Sequence, residues 1–176
     1  MVRFQRQPPG TAITRICLVL GVGFALGSGY AVVVLRPELG GLFAFGAGVL
    51  LLVGGHRANH GEGGPVDRML TELFDRAWDA AVLGSIAWVA RADEPAIAAG
   101  ALVALCASFL SSYVRARGAA LGYSVEESHV ARGVRYALIA AGLLFGWLDW
   151  TVWAAAGVSL LAAGVRTGQV AREEWT

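Results

Sequence analysis

The twenty residues from Ile16 to Leu35 contain no charged side chain. A helix needs about 20 mostly apolar residues to cross roughly 30 Å of hydrocarbon. Leu39–Gly55, Pro95–Val114 and Trp150–Val165 are three more uncharged apolar runs. Across 176 residues, 56% are hydrophobic and 15% charged, whereas soluble domains carry about a quarter charged residues. This excess exceeds what one soluble core absorbs, so an integral membrane protein is predicted. The net charge of +1 offers no field for nucleic acid, and no nucleic-acid partner is expected. Cys17 and Cys106 both lie inside apolar runs and read as small hydrophobes, not as a disulfide or metal pair.

Two further segments are apolar but carry ionisable residues: Leu73–Ala90, with Asp75, Arg76 and Asp79 near its start, and Tyr136–Leu148, which meets Asp149. Counting both as spans predicts one all-α membrane domain, a polytopic bundle of six transmembrane helices over residues 16–35, 39–55, 73–90, 95–114, 134–148 and 150–166. The competing reading makes one of the two an interfacial helix. With six spans, every arginine except Arg36 and Arg91 falls on one side. Basic loops resist translocation, which predicts a multi-pass protein of the cell membrane with both termini and the basic loops cytoplasmic. The first run is longer than a signal-peptide core, and no small-residue cleavage site follows it cleanly, so a retained helix is expected. The longer inner connections, His56–Glu72 and Arg115–Arg135, should hold the polar chemistry, while residues 1–10 and 171–176 are expected to be mobile ends.

Three polar constellations stand out. Asp75 and Asp79 are four residues apart and share a helix face. Carboxylates at membrane depth mark functional sites, although first-turn positions would also suit solvated or Arg-paired acids. Arg115 and Arg117 close the fourth span, and Arg132 and Arg135 open the fifth. Guanidinium forks suit phosphate, and equally they suit the anchoring of helix ends. His56 and His60 lie at i and i+4 near Glu62, a spacing that would hold a transition metal on a helix. Gly61, Gly63, Gly64 and Pro65 argue instead for a loop there. Walker-type, G-x-S-x-G and C-x-x-C motifs are absent from the sequence.

Residues 112–142 read SYVRARGAALGYSVEESHVARGVRYALIAAG, and residues 70–81 read LTELFDRAWDAA. These segments resemble the CDP-alcohol phosphatidyltransferases, above all the actinobacterial phosphatidylinositol-phosphate synthase branch. That branch has S-Y-[IV]-[KR]-A-R-A-E-x-x-G, then E-R-x-E-R-L, and L-D-x-x-x-D-R-x-x-D-A-A at the second segment. Arg115 and Arg117 fill the first basic pair and Arg132 and Arg135 the second, while Ala131 and Val134 replace the acids of E-R-x-E-R. The resemblance implies transfer of a phosphatidyl group from a CDP-lipid to an alcohol with release of CMP. In the family, four aspartates of D-x-x-D-G-x-x-A-R…G-x-x-x-D-x-x-x-D hold two divalent cations, Mg²⁺ or Mn²⁺, and the last serves as general base. Two metals neutralise the pyrophosphate and stabilise in-line displacement, and Mg²⁺ demands hard oxygen ligands.

Here Leu51, Gly54 and Thr71 stand at the first three aspartate positions, Asn59 replaces the Arg, and only Asp75 survives. Residues 39–61 contain no Asp or Glu, so no shift of alignment restores the motif. Three readings follow. The first is a degenerate member, a pseudoenzyme that keeps the fold and basic cavity; it would bind membrane lipid, CDP-diacylglycerol or a polyol phosphate, as a homodimer or as a heterodimer with an active paralogue. The second is an active transferase with a rewired metal site built from Asp75, Asp79 and Glu72, with His56 and His60. The third is an unrelated membrane scaffold or transporter component.

Overall fold

The structure, a computed structural model, describes residues 11–34, 36–123 and 129–173. Among these, all regular structure is helical: α1 (Thr11–Val33), α2 (Pro37–Arg57), α3 (Pro65–Ala90), α4 (Pro95–Ala120), α5 (His129–Phe145) and α6 (Leu148–Glu173). A π-helical turn, Ala58–Glu62, continues α2. Proline opens α2, α3 and α4, where its missing N–H costs nothing and its fixed φ suits a first turn.

Four helices are long and apolar enough to cross a membrane: Thr11–Val33, Pro37–His60, Pro95–Ala120 and Leu148–Ala171. α5 has only 17 residues. α3 has 26, about 39 Å at 1.5 Å per residue. Its mean hydropathy is lowered by polar residues that turn inward: Asp67, Asp75 and Asp79 are buried while Met69, Leu73 and Trp88 are exposed.

The helices are longer than the apolar runs, and the difference falls mainly at one end. The expected inner loop over His56–Glu72 is mostly helix. The chain stays helical through Glu62, breaks at Gly63–Gly64, and resumes at Pro65. Asp67 holds the restart: its Oδ2 accepts the Gly64 N–H at 2.7 Å and its Oδ1 pairs with Arg15 at 2.7 Å. α4 runs to Ala120, past the expected end at Val114, and α6 runs to Glu173, so the part of the expected mobile tail that is described is helical. Residues 1–10 lie outside the described part.

Packing closes the helices into a ring in the order α1–α2–α5–α6–α4–α3 and back to α1. Cross-links fix the direction of five of the six members. Arg15 of α1 meets Asp67 of α3, Glu72 of α3 meets Arg115 of α4, Arg132 of α5 meets Asp75 of α3, and Arg166 of α6 meets Ser111 of α4. The starts of α1, α3 and α5 thus share one end of the bundle with the finishes of α4 and α6. Small residues let neighbours approach closely. The closest approach to backbone is at Gly29, where an added Cβ would stand 2.7 Å from the Ala81 carbonyl oxygen of α3. Because the obstruction is backbone, Gly29→Val should separate α1 from α3 and lower stability by about 1–3 kcal/mol, read as a reduced melting temperature in detergent. An unchanged melting temperature would disprove the close approach.

Candidate functional site

The ring encloses a small polar cavity of about 30 Å³ toward its arginine-rich end. α3 contributes Glu72, Asp75 and Arg76, and α4 contributes Ser108, Ser111, Ser112 and Arg115. Arg132 and Arg135 come from α5, and Ser159 and Arg166 from α6.

Asp75 and Asp79 are buried, and helical periodicity turns both into this interior. Both oxygens of Asp75 are engaged: Arg132 Nε lies 2.7 Å from Oδ2, and the Tyr136 hydroxyl donates to Oδ1 at 2.6 Å. Tyr136 is held by Trp78, whose ring centre is 4.2 Å away and whose indole N–H donates to the Ala44 carbonyl at 3.3 Å. Asp79 accepts two bonds from Arg135, Nε to Oδ1 at 2.9 Å and Nη2 to Oδ2 at 3.2 Å. It also pairs with Arg76 at 2.9 Å and accepts the Ser108 hydroxyl. Two fork-like guanidinium groups therefore neutralise two carboxylates in a medium where an unpaired charge would be very costly. At the rim, Arg115 pairs with Glu72 at 2.6 Å. Arg166 is different. It donates to the Ser111 carbonyl at 3.0 Å and hydroxyl at 2.6 Å, and among the described residues it meets no carboxylate within ion-pair distance.

The structure thus brings together Asp75, Asp79, Arg115, Arg132 and Arg135 of the residues singled out from sequence. Arg117 does not join them; it is exposed and lies outside the cavity lining. α4 is still helical there, and two residues beyond Arg115 is about 200° around it. His56 and His60 keep helical register, contrary to the loop expected there. Their rings stack at 4.0 Å, both exposed, with His60 Nδ1 2.9 Å from the His56 carbonyl oxygen. Among the described residues no cluster of three His, Cys, Asp or Glu side chains assembles around them or elsewhere. The sequence reading passed over Arg76, Tyr136 and Arg166 as site residues, and the serines as well. A signal was present: Ser108, Ser111 and Ser112 fall at i, i+3 and i+4 in the otherwise apolar run Pro95–Val114, and Ser159 and Arg166 are seven apart on one face of α6.

The positions of the first three motif aspartates hold no ligand. Leu51 is fully buried beside α1, where a Cβ on Gly21 would stand 2.9 Å from its side chain. In return, Leu18 of α1 lies over Gly54 at the same 2.9 Å. The Thr71 hydroxyl donates to the Asp67 carbonyl of its own helix at 2.9 Å. Arg132 Nη1 stands 3.3 Å from where a Cβ on Gly55 would be, so its guanidinium reaches between α2 and Asp75. These residues do not fit a two-cation centre, which requires several free oxygen ligands.

No family model matches the chain. The phosphatidylinositol phosphate synthase of Corynebacterium glutamicum is 38% identical over 100 residues, a match covering 52% of this chain and 46% of that protein. The chain therefore matches about half the length of this relative. The phosphatidylinositol phosphate synthase of Mycobacterium tuberculosis, solved with CDP-DAG bound, superposes with a TM-score of 0.72 at 22% identity, over 93% of this chain and 86% of that one. The chain is thus similar to phosphatidylinositol phosphate synthases of the CDP-alcohol phosphatidyltransferase family. The same mycobacterial protein in complex with manganese and citrate gives a TM-score of 0.70 at 20% identity, over 93% of this chain and 82% of that one. At such identities the structural likeness speaks for the fold. The similarity over 100 residues suggests a membrane phospholipid-synthesis family rather than an unrelated scaffold or transporter component.

Proposed function

We propose that this chain is a non-transferring member of a membrane phospholipid-synthesis family, which binds a phosphate-bearing headgroup in its basic cavity. The observation that carries this reading is the state of the site's charges. Asp75 and Asp79 are each committed to arginine, while Arg166, among the described residues, donates to Ser111 oxygens and meets no carboxylate. Among the described residues, five arginines meet three carboxylates around the cavity, an excess of two positive charges. A phosphate monoester, dianionic near neutral pH, matches that excess and takes up guanidinium and hydroxyl donors together. A polyol phosphate or the phosphate of an anionic lipid would serve.

In this reading all six helices span the membrane, with the arginine-rich end in the cytoplasm. Support comes from Arg36 and Arg91 being the only arginines at turns of the opposite end. Trp88, Trp147 and Trp150 also lie at that end, exposed, as an interfacial aromatic belt would. A homodimer, or a heterodimer with an active paralogue, completes the proposal.

The test is release of CMP from CDP-diacylglycerol by purified protein with Mg²⁺ or Mn²⁺ and a panel of polyol and polyol-phosphate acceptors. The expected result is no release above a heat-denatured control. A second reading, a working transferase with CDP-diacylglycerol as donor, draws support from the corynebacterial relative and from the mycobacterial neighbour with CDP-DAG bound. It requires metal-dependent CMP release that Asp75→Ala abolishes, and that result would overturn the first reading.

A further inference from the structure

We infer that the fold's own guanidinium groups take the place of the divalent cations at this site, so that it receives a phosphate monoester without metal. The inference deepens the proposed phosphate-binding role and rests on it for the identity of the ligand. Its own basis is the geometry around Asp75. A cation shared between α2 and α3 would need carboxylates from both helices. The α2 positions supply Leu51 and Gly54, which are locked into the α1 seam by reciprocal packing with Gly21 and Leu18. The space beside Gly55, facing Asp75, is entered by the Arg132 side chain. Arg135 covers both oxygens of Asp79 in the same way. A guanidinium and a divalent cation both offset carboxylate charge, but a guanidinium also presents further N–H donors in a fixed plane. The charge that would otherwise have to be recruited from solution is therefore built into α5. Arg166, with Ser111 beside it on the opposite wall, completes a donor set of side chains alone.

The experiment uses the full chain in phosphatidylcholine nanodiscs. Glycerol 3-phosphate is titrated calorimetrically, once with chelator and once with Mg²⁺, and the titration is repeated with phosphatidic acid in the bilayer. The expected result is saturable binding that agrees within about twofold with and without metal and falls about tenfold or more in Arg166→Gln. Loss of the titration in phosphatidic acid bilayers assigns the site to a lipid headgroup, and its persistence assigns it to a soluble phosphate; both support the inference. Binding that demands Mg²⁺ overturns it. A separate arm follows Mn²⁺ by its electron paramagnetic resonance signal, with no phosphate present. No stoichiometric Mn²⁺ site is expected, and one that disappears in Asp75→Asn overturns the inference. Absence of phosphate binding under every condition would defeat the proposed ligand, while the Mn²⁺ arm would still decide whether arginine has displaced the cation.

Discussion

Replacing Asp79 by alanine should destabilise the bundle by about 3–5 kcal/mol, the range for breaking a buried charge pair by removing one partner. Asp79 is fully buried and is the shared acceptor for Arg135, Arg76 and Ser108. Without it Arg135, itself only 6% exposed, keeps its charge and loses both hydrogen bonds made by its fork. The penalty comes from the orphaned cation more than from the missing attraction. Removing both partners together with apolar residues of similar size, as in Asp79→Leu with Arg135→Met, should therefore cost less than Asp79→Ala alone. Unfolding by denaturant in mixed micelles measures both variants. A loss below about 1 kcal/mol for Asp79→Ala would mean that the pair is solvated and of the surface kind. The same network predicts that Asp79 variants lose phosphate binding through misplacement of Arg135 and Arg76.

Placing the aspartates of the CDP-alcohol phosphatidyltransferase motif on α2 should fail in both fold and function. In Leu51→Asp with Gly54→Asp, the first change removes a fully buried side chain from the Gly21 seam. Truncating a buried leucine costs about 2–5 kcal/mol even without a new charge, and a buried carboxylate lacking a partner adds to that. The second change drives a Cβ to within 2.9 Å of Leu18. We expect little monodisperse protein, a sharply lowered melting temperature, and no metal-dependent CMP release from whatever folds. A stable double variant that binds Mn²⁺ would show instead that the two-cation site is intact apart from its ligands. The reciprocal fit of Leu18 on Gly54 and Leu51 on Gly21 is why we expect the former outcome. The residues of α1 and α2 interlock at this seam and leave no space for the two carboxylates.

Much of this architecture was legible before any coordinates. Four uncharged runs announced four of the helices because hydrocarbon tolerates only long apolar segments whose backbone is satisfied internally. The helix ends were less legible. A hydropathy run ends where polar residues begin, but a helix continues as long as its hydrogen bonds and side-chain pairs support it. Hence α3 starts at Pro65, several residues before the apolar stretch that betrayed it, and the glycine-rich stretch after His56 stays helical through Glu62. The tandem of Asp75 and Asp79 was readable from i, i+4 spacing alone, and the arginines at 115, 132 and 135 from their clustering at predicted span ends. Arg117 shows the limit of that logic, since proximity in sequence placed it with Arg115 while helix rotation turned it outward.

By itself the sequence determined the membrane class, the shared helix face of Asp75 and Asp79, and the absence of carboxylates from residues 39–61. All three follow from local composition and the 3.6-residue period. Only the tertiary structure decided which charges meet. Tyr136 is 61 residues from Asp75, Arg135 is 56 from Asp79, and Arg166 is 55 from Ser111. Those pairings depend on the ring order of the helices and on the rotation of each about its axis. Both are set by close-packed contacts such as Gly29 on Ala81 and Leu51 on Gly21, which a one-dimensional pattern does not encode.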